Sequence, residues 1–398
     1  MAELFFLPKD FPTHSLLLRF GVLVLLALLT GEFFARWLRS PRIVGFVAAG
    51  VLLGPQVSGA INSDTLFDLR VLLDIARGLV LFELGQRVDL GWLKRNPWLL
   101  GTSLLEAGLS FLGVSAVLLI MDTKPLIAAT AAAIAIGTSP AVVLTVSKDL
   151  RAQGQVTERL LLLTALNSVY AFLAVTMLFA WLHLEYRGGW QVVVLHPLYL
   201  LLGALALALG LAAVTLWLLA RVGRRAELQF VVVIVMVVLG VALAEALNLS
   251  VLLTLLSFGV LSRVLDRQRR FVSLNFGREY LLLIVVLFSL TGATLDFRYF
   301  ESGALAAAGL IAIRVLGKAT AVFALAKPSG LSIRKASLLS IGLVPMSGTA
   351  LVLMQDFYVL YPSFGPELNA VLVSSVAILE LLGPLAVHFA IKRAGEAA

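Results

Sequence analysis

The 398-residue sequence has no cysteine, and only 14% of its residues are charged. The first absence excludes disulfides and thiolate metal sites. The second is far from an ordinary soluble domain, in which about a quarter of the residues carry charge. Histidine is scarce too, and His183, His196 and His388 stand apart near the ends of apolar runs. No nucleophile triad, phosphate-cradling glycine loop or zinc-ligand spacing occurs, so neither enzyme chemistry nor a cofactor is expected. No stretch between apolar runs is long enough to fold by itself. The expectation is one membrane domain without a soluble output module.

What the chain has is apolar length. Hydrophobic residues make up 60%, in runs near 20 residues that recur from one end to the other, each able to cross a hydrocarbon core of about 30 Å. Only helices or closed barrels satisfy their backbone groups in lipid. Leu198–Ala220 is apolar on nearly every face rather than alternating with period two, so the expected class is an all-α polytopic bundle. The net charge of +8 reads as loop lysine and arginine of a multispanning protein, not as a nucleic-acid footprint. The lipid bilayer is the expected partner. Met1–His14, with Glu3, Asp10 and two prolines, does not read as a signal peptide.

Charge, proline and glycine divide the runs into thirteen candidate spans. They lie near 15–35, 43–60, 71–86, 97–121, 125–147, 160–183, 191–220, 227–247, 249–262, 280–295, 302–326, 336–355 and 368–391. The ninth follows the eighth with only Asn248 between them. Most of the 31 lysines and arginines fall in loops on one side. The other side holds Lys9, Arg70, Lys124, Arg187 and Arg298, and only Arg19, Arg77, Arg314 and Lys318 lie inside spans. The bias places the N-terminus outside and the C-terminus in the cytoplasm of an inner-membrane protein. Trp37, Trp92, Trp98, Trp181 and Trp190 mark span ends as interface anchors do.

Two spans are interrupted at their centres. The fifth contains Gly137-Thr138-Ser139-Pro140, and the twelfth contains Gly342-Leu-Val-Pro345-Met346-Ser347-Gly348-Thr349. Proline removes a helix donor and glycine eases unwinding. Either one alone reads as a packing kink. Spans 1–6 and 8–13 can be paired as halves, however, which makes the fifth and twelfth equivalent. An offset of seven spans gives the halves opposite orientation. Paired interruptions in inverted repeats point to a transporter's binding site. The expected organisation is a first half near 15–183, a linking helix near 191–220, and an inverted second half near 227–391.

The charges inside the spans are few. Arg314 is mid-span, about 18 Å from either end at about 1.5 Å per residue, and calls for an interior partner. Lys318 is one turn later on the same face, where snorkelling would also serve. Among the acids, Glu32 pairs naturally with Arg36, and Asp74 with Arg77. Glu83 lies toward the cytoplasmic end of its span. Glu106 is deeper and has no local partner. Glu245 and Glu380 read as structural.

Several motifs, in order, resemble the monovalent cation:proton antiporter superfamily. They are Pro41-Arg-Ile-Val-Gly45 through Gly54-Pro55, Leu81-Phe-Glu-Leu-Gly85-Gln-Arg-Val-Asp89, and Ala244-Glu245 through Phe258-Gly259. Ser289-Leu-Thr-Gly292-Ala-Thr-Leu-Asp296, Gly342-Leu-Val-Pro345 and Glu380-Leu-Leu-Gly383-Pro384 complete the set. The chain is most similar to the bacterial branch of sodium/proton antiporters and glutathione-gated potassium efflux systems. The resemblance implies a homodimer with a scaffold domain and a mobile core that works as an elevator. It implies two crossing broken helices beside an Asn-Asp or related pair on the sixth span, with a basic residue of the eleventh span nearby. By position these are Gly137–Pro140, Pro345–Thr349 and Arg314. The ion-handling set so implied is Thr138, Ser139, Asn167, Ser168, Arg314, Lys318, Ser347 and Thr349.

Two positions depart from the family pattern. Asn167 is in place, but Ser168 stands where the aspartate belongs, and a serine hydroxyl exchanges no proton near neutral pH. Gly348 stands where many relatives carry Glu. The fused nucleotide-binding domain of the potassium efflux branch is absent from the sequence, so gating through it is not expected. The expected function is exchange of Na+ or K+ for protons, with Asp74, Glu83 or Glu106 as displaced proton carrier. Transport of a small anion or organic acid, or a non-exchanging channel-like relative, are the alternatives.

Overall fold

A computed structural model describes residues 15–186, 190–223, 225–266, 279–346, 350–351, 353–354 and 365–398. Helix dominates, and no strand occurs among the described residues. In chain order the helices begin with α1 (Leu16–Trp37), α2 (Arg42–Leu53), α3 (Ser63–Arg87), α4 (Leu90–Arg95) and α5 (Pro97–Ile120). Next come α6 (Pro125–Ala135), α7 (Pro140–Asp149), α8 (Gln155–Tyr186), α9 (Trp190–Val222) and α10 (Ala226–Ala246). The last are α11 (Val251–Leu265), α12 (Glu279–Ala293), α13 (Phe300–Ala324), α14 (Ile333–Gly342) and α15 (Gly365–Ala394).

Local chemistry sets many of the boundaries. Asn62, Asp89, Asn96, Ser139, Ser250 and Ser332 each accept a backbone N–H of the following first turn. The cap at Asn62 starts α3 well before the expected 71. Gly54, extended, ends α2 at Leu53 rather than near 60. Asn248 adopts a left-handed φ of 50° and separates α10 from α11 where the sequence divides them. The fifth predicted span is two helices, α6 and α7, parted by residues 136–139.

Among the described residues, eight helical segments are long and apolar enough to cross a membrane, with α6 and α7 taken as one, and three shorter apolar helices accompany them. The protein is a multi-pass membrane protein. The charged α3 and the short α14 meet neither description, so length and apolarity do not by themselves fix thirteen crossings.

Burial separates an interior from a rim. In the most apolar window of α6–α7, 78% of residues are buried, and in those of α8 and α15, 67%. The value for α1 is 17%. The helix that breaks is thus the most enclosed one. Around it α5 packs along α13, and α13 along α15.

A second region is built by backbone contact. Helix α2 packs on α12, and α3 on α11. A Cβ on Gly50 would collide with the carbonyl oxygen of Ser289, and one on Gly292 with that of Val47. Equally, a Cβ on Gly259 would meet the carbonyl of Phe82, and one on Gly85 that of Leu256. In all four cases the glycine meets the carbonyl three residues before its partner glycine. Only glycine permits so close a backbone approach.

Candidate functional site

The break at 136–139 has a simple origin. Pro140 has no N–H to donate, and Ser139 is extended. The carbonyls of Ala135, Ile136 and Gly137 are therefore left without helical donors. Two buried cations of α13 meet them. Arg314 donates from Nε to the Ala135 carbonyl at 2.7 Å and from Nη2 to the Gly137 carbonyl at 2.8 Å. Lys318 Nζ donates to the Ile136 carbonyl at 3.2 Å. A positive group at a helix C-terminus also complements the helix dipole.

Arg314 reaches the second interruption as well. Its Nη1 donates to the Val344 carbonyl at 2.6 Å and its Nη2 to the Pro345 carbonyl at 3.2 Å. The two interruptions touch directly, since the Ser139 N–H donates to the same Pro345 carbonyl at 3.1 Å. One guanidinium therefore ties four backbone carbonyls from two broken segments. The planar fork of arginine suits this, whereas the single ammonium of lysine could not span both.

Lys318 is not a snorkelling residue. Its side chain is 1% exposed, and its ammonium is paired with Glu106 of α5, which is fully buried. The same Glu106 Oε1 accepts Asn167 Nδ2 at 2.7 Å. Asn167 Nδ2 also donates to Thr138 Oγ1 at 3.1 Å, and Lys318 Nζ reaches that hydroxyl at 3.3 Å. Residues of α5, α8, α13 and the break in α6–α7 so form one enclosed cluster. On the same faces of α5 and α8, Ser103 and Tyr170 share a hydrogen bond of 3.0 Å.

The other expected residues fall elsewhere. Ser168 is buried, but its hydroxyl donates back to the Thr164 carbonyl of its own helix at 2.9 Å. It borders a cavity of about 10 Å³, with Gly137, Ala171, Leu252 and Met346 among the walls. Ser139 serves as the N-cap of α7 through Val142 N–H at 3.2 Å. Ser347, Gly348 and Thr349 lie outside the described residues. Asp74 lies between Arg70 at 3.5 Å and Arg77 at 3.7 Å. Glu83 is held by Lys148 at 2.6 Å and Arg87 at 3.5 Å, joining α3 to the end of α7. Glu245 is exposed. Glu380 is buried, with Oε2 unpaired. No cluster of metal-ligating side chains occurs among the described residues.

Sequence reading missed one polar device at the start of α8. The Glu396 carboxylate accepts the N–H groups of Val156 and Thr157, at 2.9 and 2.8 Å, and the Thr157 hydroxyl at 2.8 Å. Gly154 has φ of 155° and leaves no room for a Cβ against Glu396. A carboxylate at a helix N-terminus is a familiar pattern, but 240 residues part Glu396 from Val156, so local spacing gives no sign of it. Beside it, a cavity of about 360 Å³ is bordered by Arg87, Asp89, Trp92, Gln155, Glu158 and Arg263. The Trp92 N–H, with Arg263 nearby, holds the Asp89 carboxyl below its ordinary range.

Comparison with known proteins agrees with this layout. Two solved structures of the sodium proton antiporter MjNhaP1 from Methanocaldococcus jannaschii share the fold. One, determined at pH 8, has a TM-score of 0.64 at 16% identity, over 95% of this chain and 96% of that one. An electron-microscopy structure has a TM-score of 0.68 at 18% identity, over 96% and 97%. No curated protein sequence matches the chain. The model of the transmembrane sodium/hydrogen exchanger family matches residues 22–392. The chain therefore belongs to the sodium/hydrogen exchanger family, within the monovalent cation:proton antiporter superfamily, a family of transporters rather than enzymes.

Proposed function

We propose that the protein exchanges a monovalent cation, Na+ or K+, for protons. It does so as a homodimer in a bacterial inner membrane, by an elevator motion of a core against a scaffold. The observation that carries this reading is the enclosed junction of two interrupted segments, with a buried carboxylate and a buried ammonium within it. Interrupted helices supply free backbone groups at membrane depth, where a transporter needs to meet an ion.

The organisation into inverted halves supports the same reading. A shift of seven spans turns the α3–α11 packing into the α12–α2 packing, and α5–α6 into α13–α14. It also turns the Gly50–Gly292 contact into the Gly259–Gly85 contact. On this reading α6–α7, α8, α14 and α15 belong to the moving core, and α2, α3, α11 and α12 to the scaffold. The face bearing Lys148 and Lys335 is cytoplasmic, by the charge bias of the loops.

Transport of an anion has less to recommend it. It needs cationic side chains free to meet a ligand, yet Arg314 is engaged by four carbonyls and Lys318 by Glu106. The test is a reconstituted flux. Proteoliposomes with an imposed pH gradient should lose it on addition of Na+, K+ or Li+, and not on addition of choline. A gradient indifferent to all three ions contradicts the exchange reading.

A further inference from the structure

Two oxygens of the junction have no hydrogen bond although their side chains are completely enclosed: Glu106 Oε2 and Asn167 Oδ1. Buried polar atoms are paired in the great majority of cases, and each exception calls for an explanation. The orientation of the Asn167 amide is set by its neighbours. Its Nδ2 faces Glu106 Oε1 and Thr138 Oγ1, and rotating the amide would set its oxygen against the carboxylate oxygen, acceptor against acceptor. The free atom of Asn167 is thus an oxygen. One carboxylate oxygen and one amide oxygen, beside a hydroxyl and the carbonyls of a broken helix, are the ligands that a hard cation takes.

We propose that Glu106, on the fourth predicted span, holds the role that the family pattern gives to position 168. It is the carboxylate that binds the transported monovalent cation, with Asn167 and Thr138 as neutral oxygen partners. This rests on the exchange reading above and locates its chemistry. The rival acids are less suited. Glu83 is engaged by Lys148 and Arg87, and Asp74 by two arginines of its own helix. Glu380 also has a free buried oxygen, but no amide or hydroxyl bonds to it among the described residues. Ser168 has turned its hydroxyl to Thr164.

Lys318 is then the internal competitor, since its ammonium occupies the same Glu106 carboxylate that the cation binds. Arg314 takes no part, because the carbonyls of both interruptions hold it.

The experiment compares wild type, Glu106→Gln, Glu106→Asp and Asn167→Ala in two measurements. One is cation-driven proton flux in proteoliposomes. The other is the melting temperature in detergent in NaCl, KCl or choline chloride at equal ionic strength, since a ligand that binds the folded state stabilises it. Wild type should melt higher in the salt that drives its flux. Glu106→Gln should lose that shift and at least about 100-fold of the flux, as expected when a charge-assisted contact disappears. Asn167→Ala and Glu106→Asp should raise the half-saturating cation concentration about tenfold. A Glu106→Gln protein that exchanges like an active wild type overturns the proposal. If Glu106→Gln gives no cooperative melting in choline, the other two variants decide, and unchanged half-saturation in both overturns it. A wild type without flux sinks the exchange reading itself. Cation-dependent melting that Glu106→Gln removes would still support Glu106 as the binding carboxylate.

Discussion

The glycine-crossed quartet of α2, α3, α11 and α12 and the junction of the two interruptions solve opposite problems. In the quartet, backbone lies on backbone, and at four glycines a Cβ would collide with the partner's carbonyl. At the junction the backbones are opened, Arg314 and Lys318 of α13 satisfy the carbonyls that the openings expose, and side chains of α5 and α8 join the cluster beside them. The first arrangement has no adjustable part. The second is a set of hydrogen bonds to charged groups, which can be remade when an ion or a proton changes places. Within the junction the same division recurs one helical turn apart. Arg314 holds backbone, and Lys318 holds a carboxylate.

Breaking the junction at Arg314 should have the largest effect. Arg314→Ala leaves the enclosed carbonyls of Ala135, Gly137 and Val344 without donors and that of Pro345 with the Ser139 N–H alone, at about 4 kcal/mol or more, and should abolish monodisperse protein in size-exclusion chromatography. Arg314→Lys should be intermediate. In the quartet, Gly50→Ala and Gly259→Ala should each cost about 2–3 kcal/mol through overpacking, read as loss of melting temperature. The matched contacts predict similar losses, and clearly unequal ones break the equivalence of the two halves. Glu83→Gln, which strips the mostly buried Lys148 of its carboxylate, should cost about 2 kcal/mol. Because that pair joins α3 to α7, the variant should also change the rate of exchange without changing its dependence on cation concentration.

The smallest effect belongs to Asp89. The Trp92 N–H lowers its folded value, so its contribution is complete above the unfolded value near 3.9 and is lost as pH falls through the depressed folded value. Asp89→Asn keeps the helix cap and should change stability at pH 7 by less than about 1 kcal/mol. It should flatten the acid limb of the stability curve below about pH 4.

The bundle was legible because lipid imposes a one-dimensional rule: about 20 apolar residues make a crossing. The two breaks were legible because proline and glycine act locally. Polar partners across helices were not. Glu106 and Lys318 are 212 positions apart, and neither has an opposite charge within its own span. The signal was their shared oddity, since opposite charges buried at mid-span seek each other. The caps at Asn62 and Gly54 were written locally yet overridden in the reading by hydrophobicity, which misplaced one end of α2 and one of α3. Position 168 could be read as a departure from the family pattern. The proposal of Glu106 as the binding carboxylate needed the packing of α5 against α8 and α13.

The most direct test is a high-resolution electron cryo-microscopy map of the protein in the cation that it transports. The account predicts ion density in contact with Glu106 and Asn167, and none for Glu106→Gln in the same salt. Density in the cavity beside Ser168, or a junction without bound cation at saturating concentration, would contradict it.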